Sequence, residues 1–206
     1  MAELRSFIFL DQLQPQTLAY LATWMRGRLP RARVAAQIIE VAPGLDIEGL
    51  TDIALKSTEV EAGILVVERQ FGYLEFHSRS TAAVKSSAAA VLKALGATAD
   101  AATRPEILGS RIITRIDHQH AFLINRNKLG SMILGGESLY TLEMQPASYA
   151  ILAANEAEKA APGLTLVDVQ MIGAAGRLYM SGSTENVQRG LARIEQVLAS
   201  IEGRDG

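Results

Sequence analysis

Val66-Val67-Glu68-Arg69-Gln70-Phe71-Gly72-Tyr73-Leu74-Glu75-Phe76 has two apolar strand-like runs joined by a turn, and the turn carries a charged pair, Glu68 and Arg69. The corresponding place later in the chain is Ile172-Gly173-Ala174-Ala175-Gly176, which has no charge. The two can be compared only if the chain is built twice, and residues that agree at a fixed shift say that it is. Glu40 matches Glu143, Pro43 matches Pro146, Ala54 matches Ala157 and Lys56 matches Lys159, each 103 residues on. Gly72 and Leu74 match Gly176 and Leu178 at a shift of 104. Ser80, Thr81, Val84, Ala89 and Leu95 then return to 103 with Ser183, Thr184, Val187, Ala192 and Leu198. Caps and turns in one register argue for a duplicated domain of mixed strands and helices, with a first domain over 1–100 and a second over 101–206.

The local patterns agree with that division. Ser6 to Leu10 is a strand, and Leu18, Leu21, Ala22 and Met25 fall at helical spacing over 16–25. Arg26 to Arg33 holds four arginines, but Gly27 and Pro30 make it a solvated turn rather than an anion site. Ala36 to Val41 is a strand ended by Pro43-Gly44, and Asp46 is placed to cap a helix through Ile47, Leu50, Ile53 and Ala54. Strands over 63–67 and 72–77 flank the Glu68-Arg69 turn. Ser80 caps a helix through Val84, Val91 and Leu95 that Gly96 closes. Residues 97–107 are small and polar and form a linker.

The order then repeats: a strand over 110–116, a short helix or turn over 120–127, and a strand over 138–144 ending at Pro146. An alanine-rich helix over 148–161, strands over 164–172 and 176–180, and a helix capped by Ser183 complete it.

Composition narrows the function. With 206 residues, 49% apolar and 20% charged, the chain is an ordinary globular protein, and a net charge of −2 offers no field for nucleic acid. No cysteine is present, which removes disulfides, thiolate metal sites and cysteine nucleophiles. Met1 to Arg5 shows no signal peptide, and no apolar run reaches the roughly 18 residues of a membrane span. There is no phosphate loop, nucleophile elbow or dinucleotide fingerprint, and no cofactor is expected.

The second half, from Glu143-Met144-Gln145-Pro146-Ala147 through Asn155 to Ala161, then Gly173-Ala174-Ala175-Gly176 and Gly182-Ser183, resembles the bacterial microcompartment shell domain. The first half repeats the pattern with Lys56 and with Glu68 to Gly72, and an initial strand and helix before each repeat resembles the circularly permuted version. The chain as a whole is similar to tandem-domain, trimer-forming shell proteins, and the Glu68-Arg69 turn to their gated-pore subgroup.

That resemblance implies an α+β fold of two ferredoxin-like domains, each an antiparallel sheet with helices packed on it. It implies a homotrimer, a pseudohexamer of six domains, that adjoins hexameric and pentameric shell proteins in the bacterial cytoplasm. Some relatives stack two trimers into a chamber with two gates. Three copies of each loop then alternate around a central pore for small metabolites, which makes Glu68, Arg69, Gln70, Phe71, Gly72, Ile172, Gly173, Ala174 and Ala175 the pore residues.

In a three-fold ring, each Glu68 facing a neighbour's Arg69 closes the hole with charge-assisted pairs. Gly72 would then absorb the backbone change on opening, into space left by Gly173, Ala174 and Ala175. The plain alternative is a surface ion pair worth about 0 to 1 kcal/mol. Lys56 and Lys159 end equivalent helices, which suits the helix dipole, and the resemblance puts them at the tile edge.

Other polar residues are weaker candidates. His118 and His120 would share one strand face, but with no third ligand near them no metal is expected. His77 beside Glu75 is a surface or interface histidine, and Asn125 to Lys128 binds an anion or caps backbone. Glu40 and Glu143 lie on separate copies of one strand, so they form no acid and base dyad and no enzyme is expected. The competing reading is a small-molecule-binding regulatory protein of tandem ferredoxin-like domains.

Overall fold

The computed structural model describes residues 2–128 and 130–206; Met1, where the stretch without a signal peptide begins, lies outside the described residues. In chain order the first half gives β1 (Glu3–Leu10), α1 (Pro15–Leu21), β2 (Ala35–Ala42), α2 (Ile47–Ser57), β3 (Glu61–Glu68), β4 (Phe71–Ser78) and α3 (Thr81–Leu95). The second gives β5 (Glu106–Ile113), α4 (His118–Asn127), β6 (Ser138–Gln145), α5 (Tyr149–Ala160), β7 (Thr165–Ile172), β8 (Ala175–Gly182) and α6 (Thr184–Ala199). β1 and β5 start 103 residues apart, as do β2 and β6, and β4 and β8 start 104 apart, so the duplication is structural.

Each half builds one antiparallel four-stranded sheet, in the orders β1-β2-β4-β3 and β5-β6-β8-β7. The fold is therefore α+β with two tandem domains. Two compact units result: Met1–Arg104 together with Glu202–Gly206, and Pro105–Ile201. The last residues thus return to the first unit, where Arg204 pairs with Glu3 and its backbone N–H donates to Ala102 O at 3.0 Å.

Strand alternation sorts the first sheet into two buried faces. Leu4, Ile39, Val41, Leu74 and Phe76 join Ile47, Leu50 and Ala54 of α2 and Val84, Ala88 and Val91 of α3 in one core. On the other face Ile8, Leu10, Ile38, Tyr73, Glu75 and His77 are also buried, as are Thr17, Tyr20 and Leu21 of α1. In the second unit Ile116, Ala121, Ile124, Ile133, Leu139 and Val167 make the cluster beneath α4. β5 is mostly exposed, so its half of that face stays open.

Three of the caps read from the sequence form as expected. Ser80 accepts from Ala83 N–H and Ser183 from Asn186 N–H, each at 3.2 Å, and Gly96 closes α3 at φ 62°. Asp46 makes no side-chain cap bond, because it belongs to a 3-10 turn, Gly44–Asp46, that runs straight into α2. α4 starts at His118, earlier than the apolar spacing predicts, because Asp117 accepts from the N–H groups of Gln119 and His120. α1 stops at Leu21, where Thr23 N–H and Trp24 N–H bond back to Tyr20 O and Leu21 O in a tighter turn. The expected linker holds a 3-10 turn, Ala99–Ala101, and gives up its last two residues to β5.

Candidate functional site

The charged turn sits at one end of the first sheet. Glu68 pairs with Phe71 across the last rung of β3 and β4, leaving Arg69 and Gln70 as a two-residue hairpin loop. Such loops favour left-handed backbone, and Arg69 adopts it at φ 56°. In the second unit Ile172 pairs with Ala175, and the first loop residue, Gly173, has φ 60°. Gly173 takes that backbone at no steric cost, whereas Arg69 takes it at a cost of about 1 kcal/mol.

Arg69 Nε lies 3.3 Å from Glu68 Oε1, with the arginine side chain 71% exposed and the glutamate 27%. Behind the turn the sheet is buried and polar. Arg5 stacks its guanidinium 4.9 Å above the Phe71 ring and reaches Glu40 Oε1 at 3.5 Å. Tyr73 stands opposite Glu40 in the β2/β4 register. Burial pushes the Tyr73 hydroxyl above its ordinary range, Glu40 and then Glu68 push it further, and Arg5 opposes them. The tyrosine thus stays neutral and the turn rests on a fixed floor.

Gly72 has a packing role beside the turn. It is buried in β4, and a Cβ there would overlap Gly44 O and meet Ile47 Cβ at 2.7 Å. Its absent side chain lets the 3-10 turn before α2 close onto the sheet. Gly176 does the same for Ala147 O and Ala150 in the second unit. The charges differ between the units as well. Glu40 is fully buried with Arg5, whereas Glu143 meets Arg177 at 2.9 Å with both side chains more than a third exposed. Ile172 is exposed, Ala174 is exposed and Ala175 half-buried, so the second turn offers no charge.

The two lysines that end equivalent helices also differ. Lys56 pairs with Asp52 at 2.6 Å and is 75% exposed. Lys159 bonds Glu156 at 2.8 Å, shares that carboxylate with Arg193 and is 24% exposed. Burial alone would raise the Glu156 carboxyl, but hydrogen bonds and charge from Lys159 and Arg193 outweigh it and hold the carboxyl below its usual range.

His118 and His120 lie on a helix, not a strand, where residues two apart point away from each other. Among the described residues no group of three or more His, Cys, Asp or Glu side chains is placed to hold a metal. Asn125 brackets Ile133, donating to its carbonyl at 2.8 Å and accepting from its N–H at 2.9 Å, so it fastens a loop. Lys128 neutralises buried Asp168 at 3.3 Å. Arg26, Arg28, Arg31 and Arg33 are exposed, and the backbone of 26–28 bonds Gly63 O and Ala62 O at the β3 bulge.

His77 is not at the surface. It is 3% exposed, and its Nδ1 lies 3.0 Å from Glu75 Oε1, a pairing that strand period alone foretells for residues two apart.

The family model described as the CsoS1D N-terminal domain matches residues 4–101. Carboxysome shell protein CcmP of Synechococcus elongatus is 42% identical over 203 residues, covering 98% of this chain and 95% of the relative. Carboxysome shell protein CsoS1D of Prochlorococcus marinus subsp. pastoris is 43% identical over 200 residues, 97% and 78% of the two. The solved fused permuted hexameric shell protein MSM0275 from the RMM microcompartment is 66% identical with TM-score 0.94, covering 98% of this chain and 100% of that one. The double-ringed trimeric shell protein MSM0271 is 49% identical with TM-score 0.96, and both chains are covered in full.

Proposed function

The chain belongs to the family of tandem-domain, permuted microcompartment shell proteins that includes CsoS1D and CcmP, and from that membership we propose that its trimer carries a gated metabolite pore. It is a structural shell protein of the bacterial cytoplasm that assembles with copies of itself. The observation that carries the gate is the Glu68-Arg69 turn: two charges on a strained two-residue loop, matched in the second unit by an uncharged one. Three copies of the charged turn and three of Gly173-Ala174 surround the axis. Exchange of Glu68 partners between chains seals or clears the opening. Gly72 and Phe71 hold the base of the turn while Arg69 and Gln70 move.

The protein has no catalytic role in this reading. Lys56 lies at the tile edge and meets neighbouring hexameric and pentameric shell proteins; Lys159, committed to Glu156, braces the equivalent edge of the second unit from within. Of the relatives compared above, the RMM proteins are the nearer at 66% and 49% identity, and we assign the chain to a shell of that kind. Two trimers stack into a closed chamber, in keeping with the double-ringed trimeric relative at 49% identity. Native mass spectrometry decides this by counting six chains or three.

A crystal structure of the trimer tests the gate. Glu68 and Arg69 are expected beside the three-fold axis. Their appearance at the outer rim of the particle ends the gating account.

A further inference from the structure

The first unit carries a cavity whose lining includes neither the Glu68-Arg69 turn nor Lys56. It has a volume of about 520 Å³, within the range of small-molecule sites, and is bounded by Leu29 to Val34, Glu59 to Glu61 and the end of β4. Arg31, Arg79, Glu59 and Glu61 are exposed, so the rim holds two charges of each sign. His77 and Val60 are buried and make the floor.

The imidazole is held in one orientation. Glu75 is fully buried, and its carboxylate receives the backbone N–H groups of Gly63 and Ile64 as well as His77 Nδ1. Burial pushes the Glu75 carboxyl up, and these donors oppose the rise. A Cβ on Gly63 would meet Glu75 Oε2 at 2.5 Å, so the glycine makes room for this arrangement. In the tautomer whose Nδ1–H donates to Glu75, Nε2 is an acceptor.

Nε2 is buried and has no hydrogen-bond partner among the described residues. Glu61 Oε2 stands 3.8 Å from it, beyond hydrogen-bond range, and the other carboxylate oxygen, Oε1, lies 3.8 Å from Arg28 Nε. Two acceptors at that separation bracket the place of one donor group. The guanidinium groups of Arg31 and Arg79 supply planar forks that suit a carboxylate. Leu29 and Val34 add an apolar wall.

We propose that this cavity binds a small zwitterion of the α-amino acid class, with its ammonium between His77 Nε2 and Glu61 and its carboxylate on Arg31 and Arg79. An aliphatic side chain lies against Leu29 and Val34. The site makes the shell protein a receptor for a metabolite as well as a wall.

Isothermal titration calorimetry of the assembled protein tests this with L-leucine, 4-methylpentanoate and 3-methylbutylamine, one skeleton with both charges, without the ammonium and without the carboxylate. L-leucine is expected to bind saturably, one per chain, and about tenfold more tightly than either analogue. Arg79→Ala and His77→Gln each weaken it about tenfold, while Leu123→Ser in the second unit leaves it unchanged. Arg79 is exposed, so its variant remains informative if His77→Gln fails to fold. Equal binding of the amine means a cation site only, and equal binding of the acid an anion site only. Either result overturns the proposal, as does absence of heat with L-leucine or an unaffected Arg79→Ala.

Discussion

Arg69 Nε and Glu68 Oε1 lie 3.3 Å apart on one turn, so the charge pair at the hairpin tip is closed within a single chain. An exposed pair of this kind contributes about 0 to 1 kcal/mol, and exchanging it for the same pair between chains therefore costs little. A gate needs such near-balance, because a strong internal bridge would lock it. Glu68→Gln is expected to leave the unfolding midpoint within about 0.5 kcal/mol of the parent. It should nevertheless raise leakage of a charged dye through assembled shells. Dye efflux and thermal unfolding measured on one preparation check both halves.

Arg69 and Gly173 adopt the same left-handed backbone at equivalent places, φ 56° and 60°, and only the glycine does so freely. Arg69→Gly should stabilise the first unit by about 1 kcal/mol, and Gly173→Arg should destabilise the second by a similar amount. Urea midpoints read both. An unchanged midpoint for Arg69→Gly would mean that the arginine's contacts offset its backbone strain.

Gly72 and Gly176 each lie where a Cβ would overlap a backbone oxygen, Gly44 O and Ala147 O. Backbone cannot rotate away as a side chain can, so Gly72→Ala and Gly176→Ala should each cost about 1 to 3 kcal/mol. Gly109→Ala, where nothing lies within 4 Å, is the control. A hinge role for Gly72 would instead leave stability unchanged and alter only permeability.

The repeat was legible because caps and turns are local. Ser80, Ser183 and Gly96 act through neighbours three to five residues away, and their chemistry stands in the sequence. The packing role of Gly72 was hidden because its constraint comes from Gly44, nearly thirty residues upstream, and no local pattern carries such a close approach. The start of β5 was hidden because Glu106 to Arg111 are exposed, so the strand lacks the alternation that marks a half-buried one. His77 and Glu75 had a usable signal, two residues apart on one strand. Their burial, however, involves the 25–34 segment, which comes from elsewhere in the chain.

Lys159 and Lys56 hold equivalent places but different environments, which predicts a pH effect at the carboxylate beside Lys159. The Glu156 carboxyl is held below its ordinary value near 4.5: burial pushes it up, and Lys159 and Arg193 more than reverse that. A depressed folded pKa gives stability that is present above the unfolded value and lost as pH falls through the folded one. Glu156→Gln should therefore cost about 1 to 3 kcal/mol at neutral pH, and the gap from the parent should close as the solution is acidified below the ordinary carboxylate range. Lys56, 75% exposed beside Asp52, should behave differently: Lys56→Ala leaves the unfolding midpoint nearly unchanged at every pH and instead disrupts lateral sheets seen by electron microscopy. Urea titrations at neutral and acid pH separate the two. A pH-independent loss in Glu156→Gln would show that the carboxylate acts by packing rather than by charge.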